Sequence, residues 1–155
     1  MTLFSEINSK KIPNHVSIIM DGNGRWAKIL GKKRTFGHQK GIETVKKIIE
    51  ESIKLEIKYL TLFAFSKENW ERPNYEVKMI MKLLANSVIK YKKTLMENDV
   101  KLNTIGDLND LPLDSKLAIE KVKNLTNKNK KLTLTIALSY SARWEISNAI
   151  KKIVN

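Results

Sequence analysis

The sequence has 155 residues, 42% of them hydrophobic and 29% charged, which suits one domain with a buried core. This composition excludes an intrinsically disordered chain and a collagen-like repeat, and the absence of cysteine excludes disulfides, cysteine nucleophiles and thiolate metal sites. The formal net charge of +13 favours anionic partners such as nucleic acid, anionic lipid or phosphorylated substrates.

Lysine carries almost all of the positive charge. There are 25 Lys against 4 Arg, beside 14 Asn and 18 Ile, and this skew indicates a general compositional bias. We therefore expect most lysines to form a solvated surface. The arginines are more informative because a planar guanidinium matches phosphate oxygens. Three of them, Arg25, Arg34 and Arg72, lie in the motifs described below.

The pattern of apolar residues alternates short runs with longer stretches of helical period. It predicts strands at 15–20, 59–65, 100–105 and 132–138, and helices at 25–27, from 37 to about 53, at 75–97, 114–125 and 142–154. Nearly continuous apolar strands separated by helices favour an α/β fold with an open, mainly parallel sheet and helices on both faces. We expect an N-terminal arm, 1–12, and a single domain, 13–155.

No targeting or membrane segment is visible in the sequence. Residues 1–11 lack the apolar run of a signal peptide, and the longest apolar stretches have the length of strands. The expectation is a soluble, cytoplasmic chain. The last predicted helix stops without a glycine cap, which is typical of a chain interrupted at the boundary of an element.

The first candidate site follows the first strand, since ligands of open parallel sheets bind at the carboxyl ends of the strands. Two glycines in the run 21–26 allow the backbone to approach a ligand closely and to offer N–H groups to an anion. Arg25 adds positive charge, and Asp21 could hold a Mg²⁺ ion that bridges to a diphosphate. An ordinary glycine turn with a capping aspartate explains the same residues equally well.

Two more segments carry polar residues at predicted element boundaries. Arg34 and His38 are four residues apart at the start of a helix, so both could face one anion, although His38 alone is better read as a structural histidine. The loop 66–73 combines Ser, Asn, Trp and Arg, which is unusual for a connector; the alternative is a polar loop anchored by Trp70. At 139–145 a capping serine and a packed Trp144 are the favoured interpretation.

Three of these segments together resemble one known family. HVSIIMDGNGRWA at 15–27, RTFGHQKG at 34–41 and TLFAFSKENWERP at 61–73 are similar to the cis-prenyltransferases that include undecaprenyl diphosphate synthases. Weaker likeness at 105–107 and 132–146 extends the resemblance over 13–155. It implies a Mg²⁺-dependent transferase that condenses isopentenyl diphosphate with an allylic diphosphate, such as farnesyl diphosphate, to give a cis-polyprenyl diphosphate used as a cell-wall lipid carrier.

The resemblance also implies residue roles. Asp21 would be the catalytic aspartate and Mg²⁺ ligand, and Asn69 would assist catalysis. The substrate-binding residues would be Gly22, Asn23, Gly24, Arg25, Trp26, Arg34 and His38 for the allylic diphosphate, and Ser66, Glu68, Trp70 and Arg72 in a mobile loop for isopentenyl diphosphate, with Glu76 assisting that loop. An apolar tunnel for the growing chain would be lined by Met20, Ala64, Leu84 and Val88, which could equally be ordinary core.

Members of that family continue beyond the position of residue 155 into a further strand and an arginine-rich motif. The resemblance therefore implies that C-terminal strands, part of the isopentenyl diphosphate site and part of a homodimer interface are missing here. Whether this short form turns over is a separate question, and the missing residues argue against it. An alternative is a non-catalytic module that binds allylic diphosphate and needs a partner. A nucleic-acid-binding domain is disfavoured because the arginines cluster at predicted strand ends. The apolar product would associate with the membrane.

Overall fold

The computed structural model describes residues 6–154. Over this range the elements are β1 (His15–Ile19), α1 (Asn23–Ile29), α2 (Arg34–Lys54), β2 (Tyr59–Ser66), α3 (Asn74–Glu97), β3 (Val100–Ile105), α4 (Leu113–Thr126), β4 (Leu132–Tyr140) and α5 (Ala142–Val154), with 3₁₀ turns at Ser9–Lys11, Lys67–Glu71 and Leu108–Asp110. The predicted order of strands and helices is confirmed. α1 is longer than expected and α2 begins three residues earlier. The predicted division between arm and domain at residue 12 stays a prediction.

The strands form one parallel sheet in the order β1-β2-β4-β3. β1 and β2 are in register from His15 opposite Tyr59 to Ile19 opposite Phe63. The pairing of β2 with β4 shifts register around Phe65, close to the carboxyl ends of both strands. Because all strands run the same way, the segments that follow β1, β2, β3 and β4 emerge at one edge of the sheet.

One face of the sheet forms the core with α2, α3 and α4. Leu60, Leu62, Leu102 and Leu134 are all buried on this face and belong to one cluster with apolar residues of α3 and α4. The helices begin where the sequence permits it, since Pro73 and Pro112 stand immediately before α3 and α4, at positions where a missing N–H is tolerated. The parallel α/β fold is thus confirmed.

The other face of the sheet carries mostly polar side chains. Its positions on β1 and the start of β2, His15, Ser17, Ile19 and Tyr59, are exposed, and His15 Nε2 lies 2.8 Å from Thr61 Oγ1 on this face. α5 buries none of its residues over its described length. The outward strand positions are largely polar, so this face of the described chain can contact water. No helix within residues 6–154 is both long and apolar enough to cross a bilayer.

Candidate active site

A polar cavity lies at the carboxyl ends of β1 and β2. It brings together most of the residues singled out in the sequence: Asp21, Gly22, Asn23, Gly24, Arg25, Arg34, His38, Ser66, Asn69 and Arg72. They come from three separate stretches of the chain, which meet because parallel strands end at one edge. The structure places these side chains together; their chemical roles remain predictions.

The loop after β1 holds Asp21 at the rim of this cavity. Gly22 adopts φ +90°, a conformation that suits glycine, and precedes the first residue of α1. Asp21 Oδ1 accepts a hydrogen bond from the Gly22 amide at 2.6 Å, and Oδ2 accepts one from Arg25 Nη2 at 2.7 Å. The side chains of Asp21 and Arg25 are 69% and 71% exposed, so their ion pair contributes little to stability and leaves the carboxylate open to a ligand.

Glu76 organises the positive side chains on the inner wall of the cavity. Its Oε1 accepts hydrogen bonds from Arg34 Nε at 3.1 Å and Arg72 Nη1 at 3.3 Å, and His38 Nε2 lies 3.4 Å away. The Glu76 side chain is only 5% exposed. The sequence assigned Glu76 an assisting role alone, although its place four residues after Arg72 in the first turn of α3 is a spacing that allows this pair.

These contacts determine the charge states of Glu76 and His38. Burial acts to raise the pKa of Glu76, but the neighbouring Arg34 guanidinium, with His38 and Arg72, outweighs it and holds the pKa below its usual value. Burial lowers the pKa of His38 despite the attraction of Glu76. His38 is therefore neutral at pH 7, and the positive charge of this wall comes from the two arginines.

Replacing Glu76 with Gln is expected to lower the free energy of unfolding at pH 7 by about 2 kcal/mol, because two half-buried guanidinium groups lose their counter-charge. The pKa of Glu76 is depressed, so its stabilisation is present above the carboxyl's ordinary pKa of 4.5 and is lost as the pH falls through the folded-state value. The difference between the two proteins, measured by urea unfolding, should shrink at acidic pH.

Glu43→Gln is the matched control for this substitution. Within residues 6–154 Glu43 pairs only with Lys40, and both side chains are exposed, so its replacement should change the unfolding free energy by less than about 0.5 kcal/mol. Equal losses for the two variants would show that Glu76 does not hold the arginines.

Three residues predicted to bind substrate lie outside the lining of the polar cavity. Trp26 is stacked on Phe36 with ring centroids 5.9 Å apart, Glu68 is exposed, and Trp70 Nε1 donates a hydrogen bond to Ser139 Oγ at 2.9 Å. For Glu68 and Trp70 the reason is that residues 67–71 form a 3₁₀ turn rather than an irregular loop. With three residues per turn, only every third side chain faces the cavity.

The favoured interpretation of the segment after β4 is confirmed. Ser141 Oγ accepts a hydrogen bond from the Trp144 backbone N–H at 3.2 Å, so it caps α5, and the Trp144 side chain is partly buried.

An apolar cavity lies between α2, α3 and the sheet. The four predicted tunnel residues, Met20, Ala64, Leu84 and Val88, all line it, together with α2 residues such as Ile42 and Ile49. Met20 and Ala64 also line the polar cavity, so the two cavities meet at these side chains. The polar cavity and the adjoining apolar cavity together offer a charged side and an apolar side, which matches an amphiphilic molecule.

The donor set at this edge fits a magnesium ion delivered with a phosphate ligand. Among residues 6–154 no group of three His, Cys, Asp or Glu side chains could hold a metal by itself. Mg²⁺, however, is commonly bound through one or two carboxylates plus substrate phosphates and water. Asp21 offers one exposed carboxylate at the cavity rim, which meets this requirement.

Comparison with known proteins supports one family. The family model described as putative undecaprenyl diphosphate synthase matches residues 19–155. The chain is 48% identical over 142 residues to an isoprenyl transferase of Chlorobaculum tepidum, covering 92% of this chain and 54% of that protein. It is 47% identical over 149 residues to a ditrans,polycis-undecaprenyl-diphosphate synthase, (2E,6E)-farnesyl-diphosphate specific, of Micrococcus luteus, covering 96% and 60%.

The fold agrees with this assignment. A crystal structure of lavandulyl diphosphate synthase from Lavandula x intermedia, in complex with dimethylallyl diphosphate, superimposes with a TM-score of 0.89 at 35% identity, covering 92% of this chain and 61% of that one. The chain thus spans a little over half the length of the relatives it matches. Since motifs, fold and sequence identity agree over nearly all of its residues, the chain belongs to the undecaprenyl diphosphate synthase family of prenyltransferases.

Proposed function

We propose that this chain binds an allylic diphosphate, with farnesyl diphosphate as the first candidate, and acts as an isoprenyl transferase that adds isopentenyl diphosphate to it to form a cis-polyprenyl diphosphate. The observation that carries the proposal is the junction of the two cavities at Met20 and Ala64. A diphosphate in the polar cavity would place its hydrocarbon tail in the apolar cavity between α2 and α3.

The residues of the polar cavity suit the departure of a diphosphate. Cleavage of an allylic diphosphate leaves a carbocation, and the reaction is helped by donors that stabilise charge on the leaving group. Arg34 and Arg72 are held in place by Glu76 and carry such donors. Gly22 and Gly24 allow close backbone approach, and the apolar cavity excludes water from the cation.

Asp21 is the residue that would hold Mg²⁺. The ion, when bound, supplies positive charge that stabilises the diphosphate as a leaving group. In the ligand-free protein the Asp21 carboxylate is oriented by the Gly22 amide and paired with Arg25, which keeps it at the rim of the cavity.

Arg34→Lys is expected to weaken farnesyl diphosphate binding by about tenfold, because an ammonium group cannot replace the planar fork of donors. The guanidinium packs against Gly24, where an added Cβ would lie 3.2 Å from Arg34 Cζ, so its position is closely defined. Isothermal titration calorimetry gives the dissociation constant. Arg143→Lys, an exposed arginine of α5, is the control and should bind like the wild type; unchanged affinity of Arg34→Lys would remove Arg34 from the site.

The direct test of the proposed function is incorporation of labelled isopentenyl diphosphate into a butanol-extractable product, with farnesyl diphosphate and Mg²⁺ present. Turnover that depends on all three components would support an isoprenyl transferase, and the product would show the chain length. If no product formed and farnesyl diphosphate did not raise the melting temperature either, both the activity and the binding proposal would be wrong.

A second candidate is a module that only binds an allylic diphosphate and relies on a partner for isopentenyl diphosphate. It is favoured by the small net charge of the cavity and its inner wall. Three positive side chains face two negative ones, and His38 is neutral; the charged residues are Arg25, Arg34 and Arg72 against Asp21 and Glu76. One net positive charge suits one diphosphate better than two. Stabilisation by farnesyl diphosphate without turnover would support this candidate.

Assembly and location complete the proposal. We propose Mg²⁺ as the cofactor, a homodimer as the assembly, and a cytoplasmic location with the apolar product associating with the membrane. Membership of the family supports these proposals. Analytical ultracentrifugation of the chain would test the homodimer.

A further inference from the structure

A hydrogen-bonded network lies behind the 3₁₀ turn 67–71, on the side away from the polar cavity. Lys67 Nζ donates to Asp107 Oδ2 at 3.1 Å and to Asp110 Oδ2 at 2.6 Å. Ser139 Oγ donates to the same Asp110 oxygen, and Trp70 Nε1 donates to Ser139 Oγ at 2.9 Å. We call these five residues the rear network. It ties two side chains of the turn, Lys67 and Trp70, to the segment that follows β3 and to Ser139 near the end of β4.

The centre of the rear network is buried and conformationally unusual. Ser139 is fully buried and adopts φ +48°, a left-handed conformation that is unfavourable for residues other than glycine, asparagine and aspartate. Its hydroxyl both accepts from Trp70 and donates to Asp110. The Trp70 ring also packs edge-on against Phe65, with centroids 5.0 Å apart. The position of Trp70 is therefore fixed by a directional contact and by packing.

Charge strengthens the network. Burial acts to lower the pKa of Lys67, but its bonds to Asp110 and Asp107 outweigh burial and raise it. Burial acts to raise the pKa of Asp110, but its bonds from Lys67 and Ser139 lower it overall. Both groups stay charged across the neutral range, and charge-assisted hydrogen bonds are stronger than neutral ones. Lys67 Nζ also lies 5.1 Å from the centre of the Trp144 ring of α5.

The turn has two functional sides. Ser66, Asn69 and Arg72 recur every third residue and line the polar cavity, whereas Lys67 and Trp70 point into the rear network. This separation follows from the three-residue period of a 3₁₀ helix. Because the turn is short, anchoring one side restricts the other.

We propose that Lys67, Asp110 and Ser139 are positioning residues: they hold the 3₁₀ turn so that Ser66, Asn69 and Arg72 face the polar cavity. None of the three lines the cavity, so each acts through the turn. The part of the inference that concerns ligand affinity rests on the proposed function. The part that concerns anchoring of the turn does not.

Hydrogen exchange of the ligand-free protein tests the anchoring. In Lys67→Met and Ser139→Ala the backbone amides of 67–72 should exchange at least about tenfold faster, while those of α2 keep their wild-type rates. Lys67→Arg, which preserves the charge and the donors, should restore slow exchange. Lys54→Met is the matched control, because Lys54 forms an ion pair with Glu51 at the far end of α2.

Ser139→Gly covers the case in which Ser139→Ala fails to fold. It removes the hydroxyl but relieves the left-handed backbone, so the fold should persist while 67–72 exchange faster. Unchanged exchange in 67–72 for both Lys67→Met and Ser139→Gly would overturn the proposal. Faster exchange that includes α2 equally would also overturn it, since the network would then support the whole fold rather than the turn.

Calorimetry with farnesyl diphosphate tests whether the rear network affects ligand affinity. We expect Lys67→Met and Ser139→Gly to bind about tenfold more weakly, Lys67→Arg to recover affinity, and Lys54→Met to match the wild type. Faster exchange with unchanged affinity would overturn the positioning role. Absence of farnesyl diphosphate binding by the wild type itself would refute the proposed function, and the exchange data would still decide whether the network anchors the turn.

Discussion

Gly37→Ala is expected to lower the free energy of unfolding by about 3 kcal/mol, against the usual trend for glycine in a helix. Inside α2 an alanine would ordinarily stabilise by about 1 kcal/mol. At this position, however, a Cβ would lie 2.0 Å from the Asn23 carbonyl oxygen and 2.6 Å from its carbon. These are backbone atoms of α1, so the contact can be relieved only by moving that helix away from α2.

Gly41→Ala, one turn later in the same helix, is the matched control. Its Cβ would lie 2.9 Å from Asn23 Nδ2, the end of a flexible side chain that can turn away. Its unfolding free energy, measured in urea like that of Gly37→Ala, should stay within about 1 kcal/mol of the wild type. Equal effects of the two substitutions would show that the approach of α1 to α2 does not depend on Gly37.

Gly37→Ala should also affect the polar cavity. Asn23 is the first residue of α1 and follows Asp21 and Gly22 directly, while Arg34 begins α2. A shift between the two helices would therefore separate Asp21 from Arg34. Farnesyl diphosphate affinity of Gly37→Ala, measured below its melting temperature, should fall by more than about tenfold, because misplaced donors lose most of their effect.

Asp21→Ala is expected to reduce Mg²⁺-dependent turnover by about 10²–10³-fold, the range found when one group that stabilises developing charge is removed. The fold should be unaffected, because the Asp21 side chain is 69% exposed and its pair with Arg25 contributes little. The measurements are labelled isopentenyl diphosphate incorporation and thermal unfolding. If the wild type binds without turning over, the corresponding result is loss of the Mg²⁺-dependent part of farnesyl diphosphate affinity.

Asp114→Ala is the control for this experiment. Asp114 is an exposed aspartate in the first turn of α4, outside both cavities, so turnover and Mg²⁺ dependence should match the wild type. Activity of Asp21→Ala close to the wild-type level would remove Asp21 from the catalytic and metal-binding roles.

The sequence predicted the backbone of this fold well. The strands are short apolar runs and the long helices have a clear helical period, so each element is specified locally by which positions are apolar. The prediction treated the strands as nearly continuous apolar runs, which is the rule for strands buried on both faces. β1 in fact alternates, with His15 and Ser17 outward and Val16 and Ile18 toward the core.

The sequence predicted most of the residues that meet at the site, but not how their side chains are oriented. Its residues could be placed at one edge because parallel strands end together. The sequence could not show that Arg34, 42 residues before Glu76, shares that carboxylate with Arg72, since such a contact depends on how α2 and α3 pack. Nor could it show that Trp70 points away from the cavity, because the 3₁₀ turn and the contact with Ser139 are tertiary features.

The contacts of Glu76 with Arg34 and Arg72 affect how the protein recognises an anion. Arg34 and Arg72 are long side chains whose rotamers are already restricted in the ligand-free protein by one buried carboxylate. The entropy lost in orienting them is therefore a cost of folding and not of association. An incoming anion meets a preorganised pair of donors and competes with Glu76 for them, so its recognition is an exchange of one acceptor for another.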